Sequence, residues 1–205
     1  MRHFLYILLI SLANNLDNIG VRIAYSVRGI KITNPINLWI SVLTFAITFL
    51  AAFSGTRISG FLSKEVSSMI AMVILVAIGS WMILQPYITG RDKHPVNSDR
   101  ESEERVLDVL LDPEKGDRDH SKNIDFREAT LLGIALSINN VGGGVSAGMI
   151  GLNTFWVGFF SATLSFLALW AGNYVAEFCT KWNLSNKATV VAGLALILLG
   201  IEQIL

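Results

Sequence analysis

Long apolar stretches alternate with short polar ones along this chain of 205 residues. Runs long enough to cross a hydrocarbon layer of ~30 Å, at ~1.5 Å per helical residue, cover residues 4–27, 36–61, 66–88, 129–150, 155–179 and 187–205. They predict six transmembrane helices, hence an all-α integral membrane protein. Between the third and fourth spans lies a polar segment of about 38 residues, too short for an independent domain. The chain therefore divides into a membrane region over 1–88, a linker over 89–126 and a second membrane region over 127–205. The start, MRHFLYILLISLANN, has the basic opening and short apolar core of a signal peptide. No small-x-small cleavage site follows and further spans do, so it reads as a retained first helix.

The two membrane regions resemble each other. LDNIG at 16–20 matches INNVG at 138–142 with an offset of 122, while Trp39 matches Trp156 and Gly55 matches Gly172 with an offset of 117. Three spans is an odd number, so the second copy enters the membrane from the opposite side. The expected architecture is two inverted three-helix repeats.

Composition places the chain in the membrane class, with 52% hydrophobic and 16% charged residues. The 16 basic and 16 acidic side chains cancel, but 12 acidic and eight basic ones crowd between Arg91 and Glu128. Twelve Lys and Arg fall on the face carrying the loop after the first span, the linker and the loop after the fifth. Only Arg2, Arg57 and Lys64 fall on the other. The positive-inside rule then puts the linker in the cytoplasm and both termini outside a multi-pass cell-membrane protein. One cysteine, Cys179, excludes an internal disulfide, and His3, His94 and His120 are scattered, so no soft-metal cluster is expected.

The apolar pattern breaks where it should be strongest. NNLDN at 14–18 sits near the midplane of the first span, and Asn139 matches Asp17 in the fourth. An ionised carboxylate at that depth costs ~2.5–3.5 kcal/mol even on lenient insertion scales, so Asp17 must face the bundle interior. Asn14, Asn18, Ser137, Asn139 and Asn140 join it, with Asn15, as one carboxylate and several neutral oxygens. Oxygen ligands without His or Cys suit a hard cation such as Mn2+, Mg2+ or Ca2+. A plainer reading is that the amides only tie helices together. Arg22 lies five residues from Asp17, about 140° away on the helix, and is expected to snorkel to the interface or reach Glu128. Gly144 and Gly148 form a GxxxG pair and are read first as packing devices. Thr44 and Thr48 in the second span match Ser161 and Ser165 in the fifth, hydroxyls that more often bond back to their own helices.

DRDHSKNIDFRE at 117–128 fits the twelve-residue calcium loop of an EF-hand. Asp117, Asp119 and Ser121 take loop positions one, three and five. Asn123 offers its carbonyl at seven, Asp125 stands at nine and Glu128 at twelve, with apolar Ile124 at eight. Lys122 replaces the glycine of the sharp turn, costing roughly 1 kcal/mol for a left-handed non-glycine residue. An amphipathic helix is expected over 102–111 ahead of it. A solvated acidic linker is the alternative.

SLANNLDNIGVRIAYSVRGIKI and DPEKGDRDHSKNIDFREATLLGIALSINNVGGGVSAGMIGL resemble the manganese efflux pump family, MntP-like, and particularly its sporulation membrane protein branch, YtaF-like. The likeness spans nearly the whole chain. It implies six spans, inverted repeats and membership of the lysine-exporter superfamily. In the manganese-exporting members an Asp in the first span and an Asp in the fourth hold the cation. Asp17 matches the former, whereas Asn139 stands at the latter, leaving one carboxylate where the family pattern has two.

The expected function is a secondary transporter exporting a divalent cation by alternating access, with the loop sensing a cation. The partners expected are the lipid bilayer and a divalent metal ion, Mn2+ or Ca2+, with no organic cofactor and no nucleic acid; a homodimer is left open. No catalytic nucleophile, triad or phosphate loop is visible, so no enzyme is expected. Two alternatives stand beside this reading: an amino-acid exporter of the same superfamily, or a non-transporting sporulation or envelope protein with a structural Ca2+ site.

Overall fold

The computed structural model describes residues 2–27, 30–88, 116–117, 121–182 and 197. Five long helices account for nearly all of them: α1 (Arg2–Val27), α2 (Asn34–Ser59), α3 (Lys64–Ile88), α4 (Phe126–Met149) and α5 (Thr154–Trp182). Each ends within three residues of its sequence expectation. The expected helix over 102–111, and all but Ile197 of the span at 187–205, lie outside the described residues.

Local chemistry sets the helix starts. Pro35 sits in the first turn of α2, where its missing N–H is no loss. Asp125 caps α4 by accepting from the Arg127 and Glu128 amides, and Glu128 returns a bond to the Asp125 amide, a complete capping box. The Asn153 side chain accepts from the Phe155 and Trp156 amides at the start of α5.

Close packing follows small residues. α2 and α4 run parallel, with Gly133 against Ile40, Gly144 against Thr48 and Ala51, and Gly148 against the Ala52 backbone. A methyl at Gly148 would collide with the Ala52 carbonyl, and one at Gly55 with the Val145 carbonyl. The packing role expected of Gly144 and Gly148 is thus their role here. α5 packs on α1 and α2, and α4 also meets α3 and α1. The α4 axis turns by 48° between Phe126–Ile138 and Asn140–Met149. The Gly142–Gly144 run and the back-bonding Ser137 hydroxyl, 2.6 Å from the Gly133 carbonyl, sit where it bends.

Two apolar clusters occupy opposite ends of the bundle. One joins Val21, Tyr25, Ile30, Ile36, Ile124, Leu132 and Leu169. The other joins Ile7, Ile10, Ala52, Leu75, Ala147 and Val157. Outside, Leu38, Val42, Leu50 and Phe53 of α2 and Phe155, Phe159, Leu167 and Trp170 of α5 are exposed. Such a surface suits lipid and is unfavourable in water. α2 and the Thr154–Ala171 part of α5 are long and apolar enough to cross a membrane, and the bent α4 makes a third if its halves form one span. Among the described residues α1 adds a shorter apolar portion, His3–Leu16.

Candidate functional site

Between the two apolar clusters lies a layer of buried polar side chains. Ser11, Asn14, Asn15 and Asn18 come from α1, Thr44 and Thr48 from α2, Ser137 and Asn140 from α4, and Ser161 and Ser165 from α5. Each is at most 2% exposed, so water cannot satisfy them from outside.

They satisfy one another in a circuit through four helices. Asn15 Nδ2 donates to the Ser11 carbonyl at 2.8 Å and to Asn140 Oδ1 at 3.3 Å. Asn18 Nδ2 donates to Asn15 Oδ1 at 3.2 Å and to Ser165 Oγ at 2.9 Å. Thr44 Oγ1 lies 3.5 Å from Ser165 Oγ and 3.2 Å from Ser137 Oγ, which returns the path to α4 one turn from Asn140. Ser161 Oγ donates to Ser11 Oγ at 3.2 Å. The circuit is incomplete at a few atoms: both polar atoms of Asn14, Nδ2 of Asn140 and Oγ1 of Thr48 find no partner among the described residues. Asn14 packs directly on Gly143, where a side chain would overlap its amide.

Of the residues expected at a transport site, Asn14, Asn18, Ser137 and Asn140 thus come together in one layer. The side chains of Asp17 and Asn139 lie outside the described residues; their backbones belong to the same turns of α1 and α4. Of the four hydroxyls expected to bond back more often to their own helices, Thr44, Ser161 and Ser165 reach across, while Thr48 Oγ1 finds no partner among the described residues. Thr44 does bond back to the Ile40 carbonyl at 3.0 Å, yet it also reaches Ser137, while Ser161 and Ser165 bond across to α1. Ser11 was not singled out in the sequence; its spacing of four from Asn15 is the signal that marks it. Arg22 does not snorkel outward: it is buried and Nη1 lies 3.5 Å from the Ile30 carbonyl.

At the same end as Arg22, the connector between α1 and α2 pairs with the segment before α4. Lys31 and Asn123 form an isolated parallel β-bridge, with the Lys31 amide donating to the Lys122 carbonyl and the Ile124 amide to the Lys31 carbonyl. Ile124 is buried in the adjoining apolar cluster. Asp117 is 5% exposed, and its Oδ2 accepts from the Lys122 amide at 3.1 Å, while Oδ1 has no partner among the described residues. Lys122 has φ 61°, the left-handed turn that the loop pattern requires there. Ser121 Oγ donates to the Asn123 carbonyl at 2.9 Å. Asp125 and Glu128 are engaged in the capping box, and Asp119 lies outside the described residues. Among the described residues no three His, Cys, Asp or Glu side chains gather as a metal cluster.

Residues 105–205 match a family model described as "Putative manganese efflux pump". Over 97% of its length the chain is 31% identical to "Probable sporulation protein YtaF" of Bacillus subtilis (strain 168), covering 98% of that protein. No solved structure matches.

Proposed function

Because the chain belongs to the manganese efflux pump family, we propose that it exports a hard divalent cation such as Mn2+ across the membrane by alternating access. The observation that carries this reading is the polar layer closed between two apolar clusters. Apolar side chains would fill that space at lower cost, and a polar cargo gives the layer a purpose.

In this reading Asp17 coordinates the ion and takes a proton when it leaves. Asn139, Asn18 and Asn140 complete the shell, with Asn14 and Ser137 beside them. A site with one carboxylate leaves a divalent ion under-neutralised, so the amide and hydroxyl oxygens of the layer supply the rest of its solvation.

The helix pairing supports inverted repeats. Exchanging α1 with α4 and α2 with α5 turns the α1–α5 pair into the α4–α2 pair, and it maps the α2–α5 and α1–α4 pairs onto themselves. All four pairs are packed. Six spans would put the linker opposite both termini, and the excess of Lys and Arg on the linker's face would make that side the cytoplasm. The loop at 117–128 acts as a cation sensor, a reading supported by Asp117 and Lys122 meeting as the first and sixth positions of a calcium loop do.

Purified protein in liposomes containing a Mn2+-quenched dye tests the proposal. Asp17→Asn should lower Mn2+ flux to that of empty liposomes while the melting temperature stays within about 4 °C. Flux through Asp17→Asn equal to wild type refutes the assignment. Transport of amino acids in place of Mn2+, or none by wild type, favours the exporter or the non-transporting sporulation reading instead.

A further inference from the structure

The circuit in the polar layer is asymmetric in a way that the repeat makes informative. Asn18 corresponds to Asn140 at the offset of 122, and Thr48 corresponds to Ser165 at the offset of 117. The bond from Asn18 Nδ2 to Ser165 Oγ therefore has a counterpart from Asn140 Nδ2 to Thr48 Oγ1. The first is made, at 2.9 Å. The second is not, and both of its atoms are buried without any partner among the described residues.

Register places the unmade pair side by side. On the parallel seam of α2 and α4, Thr44 meets Ser137 on one side and Ala52 meets Gly148 on the other. Thr48 is one turn beyond Thr44, and Asn140 is one turn beyond Ser137, in the same direction. Asn14 lies against Gly143 on the next turn of α4, with its amide also unsatisfied. Buried polar groups rarely stay unpaired in one conformation unless another state or a guest satisfies them.

We propose that Thr48 and Asn140 form the second of two alternating hydrogen bonds that position the cargo site, unmade here while Asn18–Ser165 is made, with Asn14, Thr48 and Asn140 receiving the hydration water of a divalent cation when the layer, closed to water here, opens on their side. Thr48 Oγ1 and Asn14 Oδ1 accept hydrogen bonds from that water, and the amide nitrogens of Asn14 and Asn140 donate hydrogen bonds to its unbound neighbours. When the repeats rock, Asn140 closes on Thr48 and Asn18 releases Ser165. This inference rests on the alternating-access reading, and it adds Thr48 and Ser165 as positioning residues.

Paired cysteines test it in liposomes, in a Cys179→Ser background that removes the one native thiol. One protein carries Asn18→Cys with Ser165→Cys and another carries Thr48→Cys with Asn140→Cys, each treated with a short bifunctional methanethiosulfonate. Both are compared without Mn2+, because Asn18 and Asn140 belong to the proposed cargo shell; the first pair should cross-link more and the second to a smaller but measurable yield, since both arrangements are sampled without cargo. A Thr48–Asn140 pair that never cross-links overturns the proposal, as does one that cross-links as fully as the first pair. Thr48→Val supplies a readout free of cysteine. It should slow turnover about tenfold, the value of one lost hydrogen bond, and raise KM for Mn2+ as the cargo's water loses an acceptor, with rescue of both by Thr48→Ser. Wild-type turnover in Thr48→Val overturns the positioning role. Cross-links at both pairs with no Mn2+ flux through the wild type keep this inference and remove the manganese reading, whereas wild-type flux without a Thr48–Asn140 cross-link does the reverse.

Discussion

Asn15 on α1 donates to Oδ1 of Asn140 on α4 at 3.3 Å, joining residues 125 apart in sequence inside a layer closed to water. The same Asn15 accepts from Asn18 with its other polar atom, so a single amide couples Asn18 with Asn140, which match in sequence at an offset of 122. Its worth lies less in its own bonds than in what its removal leaves unpaired.

Asn15→Ala should therefore destabilise the protein by about 1–3 kcal/mol, because Asn18 and Asn140 both lose a partner in an apolar setting. Thermal unfolding of Asn15→Ala, Asn140→Ala and the double variant checks it. The double variant should cost less than the sum of the two; additive losses would show that the bond carries no coupling.

Gly148 and Gly55 are predicted to be the least replaceable positions on the α2–α4 seam, because a methyl there meets the Ala52 or the Val145 carbonyl. Gly148→Ala should cost about 1–3 kcal/mol through forced separation of the helices. Gly60→Ala, at an exposed turn with φ −65° and the Arg57 carbonyl 3.3 Å from the added carbon as its tightest neighbour, should cost less, about 0.5 kcal/mol. Equal melting temperatures for the two would remove the packing argument.

Lys122 holds φ 61° with a side chain that disfavours it. Lys122→Gly should stabilise the loop by roughly 1 kcal/mol and tighten any cation held by it. Titration with Ca2+, Mn2+ and Tb3+, followed by terbium luminescence and thermal shift, measures both effects. Tb3+ and Ca2+ binding that is absent in wild type and in Lys122→Gly leaves Asp117–Glu128 as a structural cap alone.

Asn139→Asp restores a second carboxylate at the position matched to Asp17. The KM for Mn2+ flux should fall by roughly tenfold or more, since a second negative charge neutralises the divalent ion. A KM unchanged by this substitution would place residue 139 away from the cargo.

Residue order alone determined the helices, because apolar runs of membrane length and the punctuation of Pro35, Asp125 and Asn153 act locally. It also determined that Asn14, Asn18, Ser137 and Asn140 would be internal, since a polar group facing lipid is too costly. The loop turn at Lys122 was legible as well, from ligand spacing that demands a left-handed sixth residue. Tertiary structure decided the rest. Whether Thr44, Ser161 and Ser165 bond to their own helix or across the bundle depends on helix register and rotation, which glycine and alanine contacts such as Gly148 on Ala52 fix. Only in three dimensions do one satisfied pair, Asn18 with Ser165, and one unsatisfied pair, Thr48 with Asn140, become distinct. Matched residues in a sequence carry no sign of which pair is bonded, because bonding is a matter of distances between helices and not of composition.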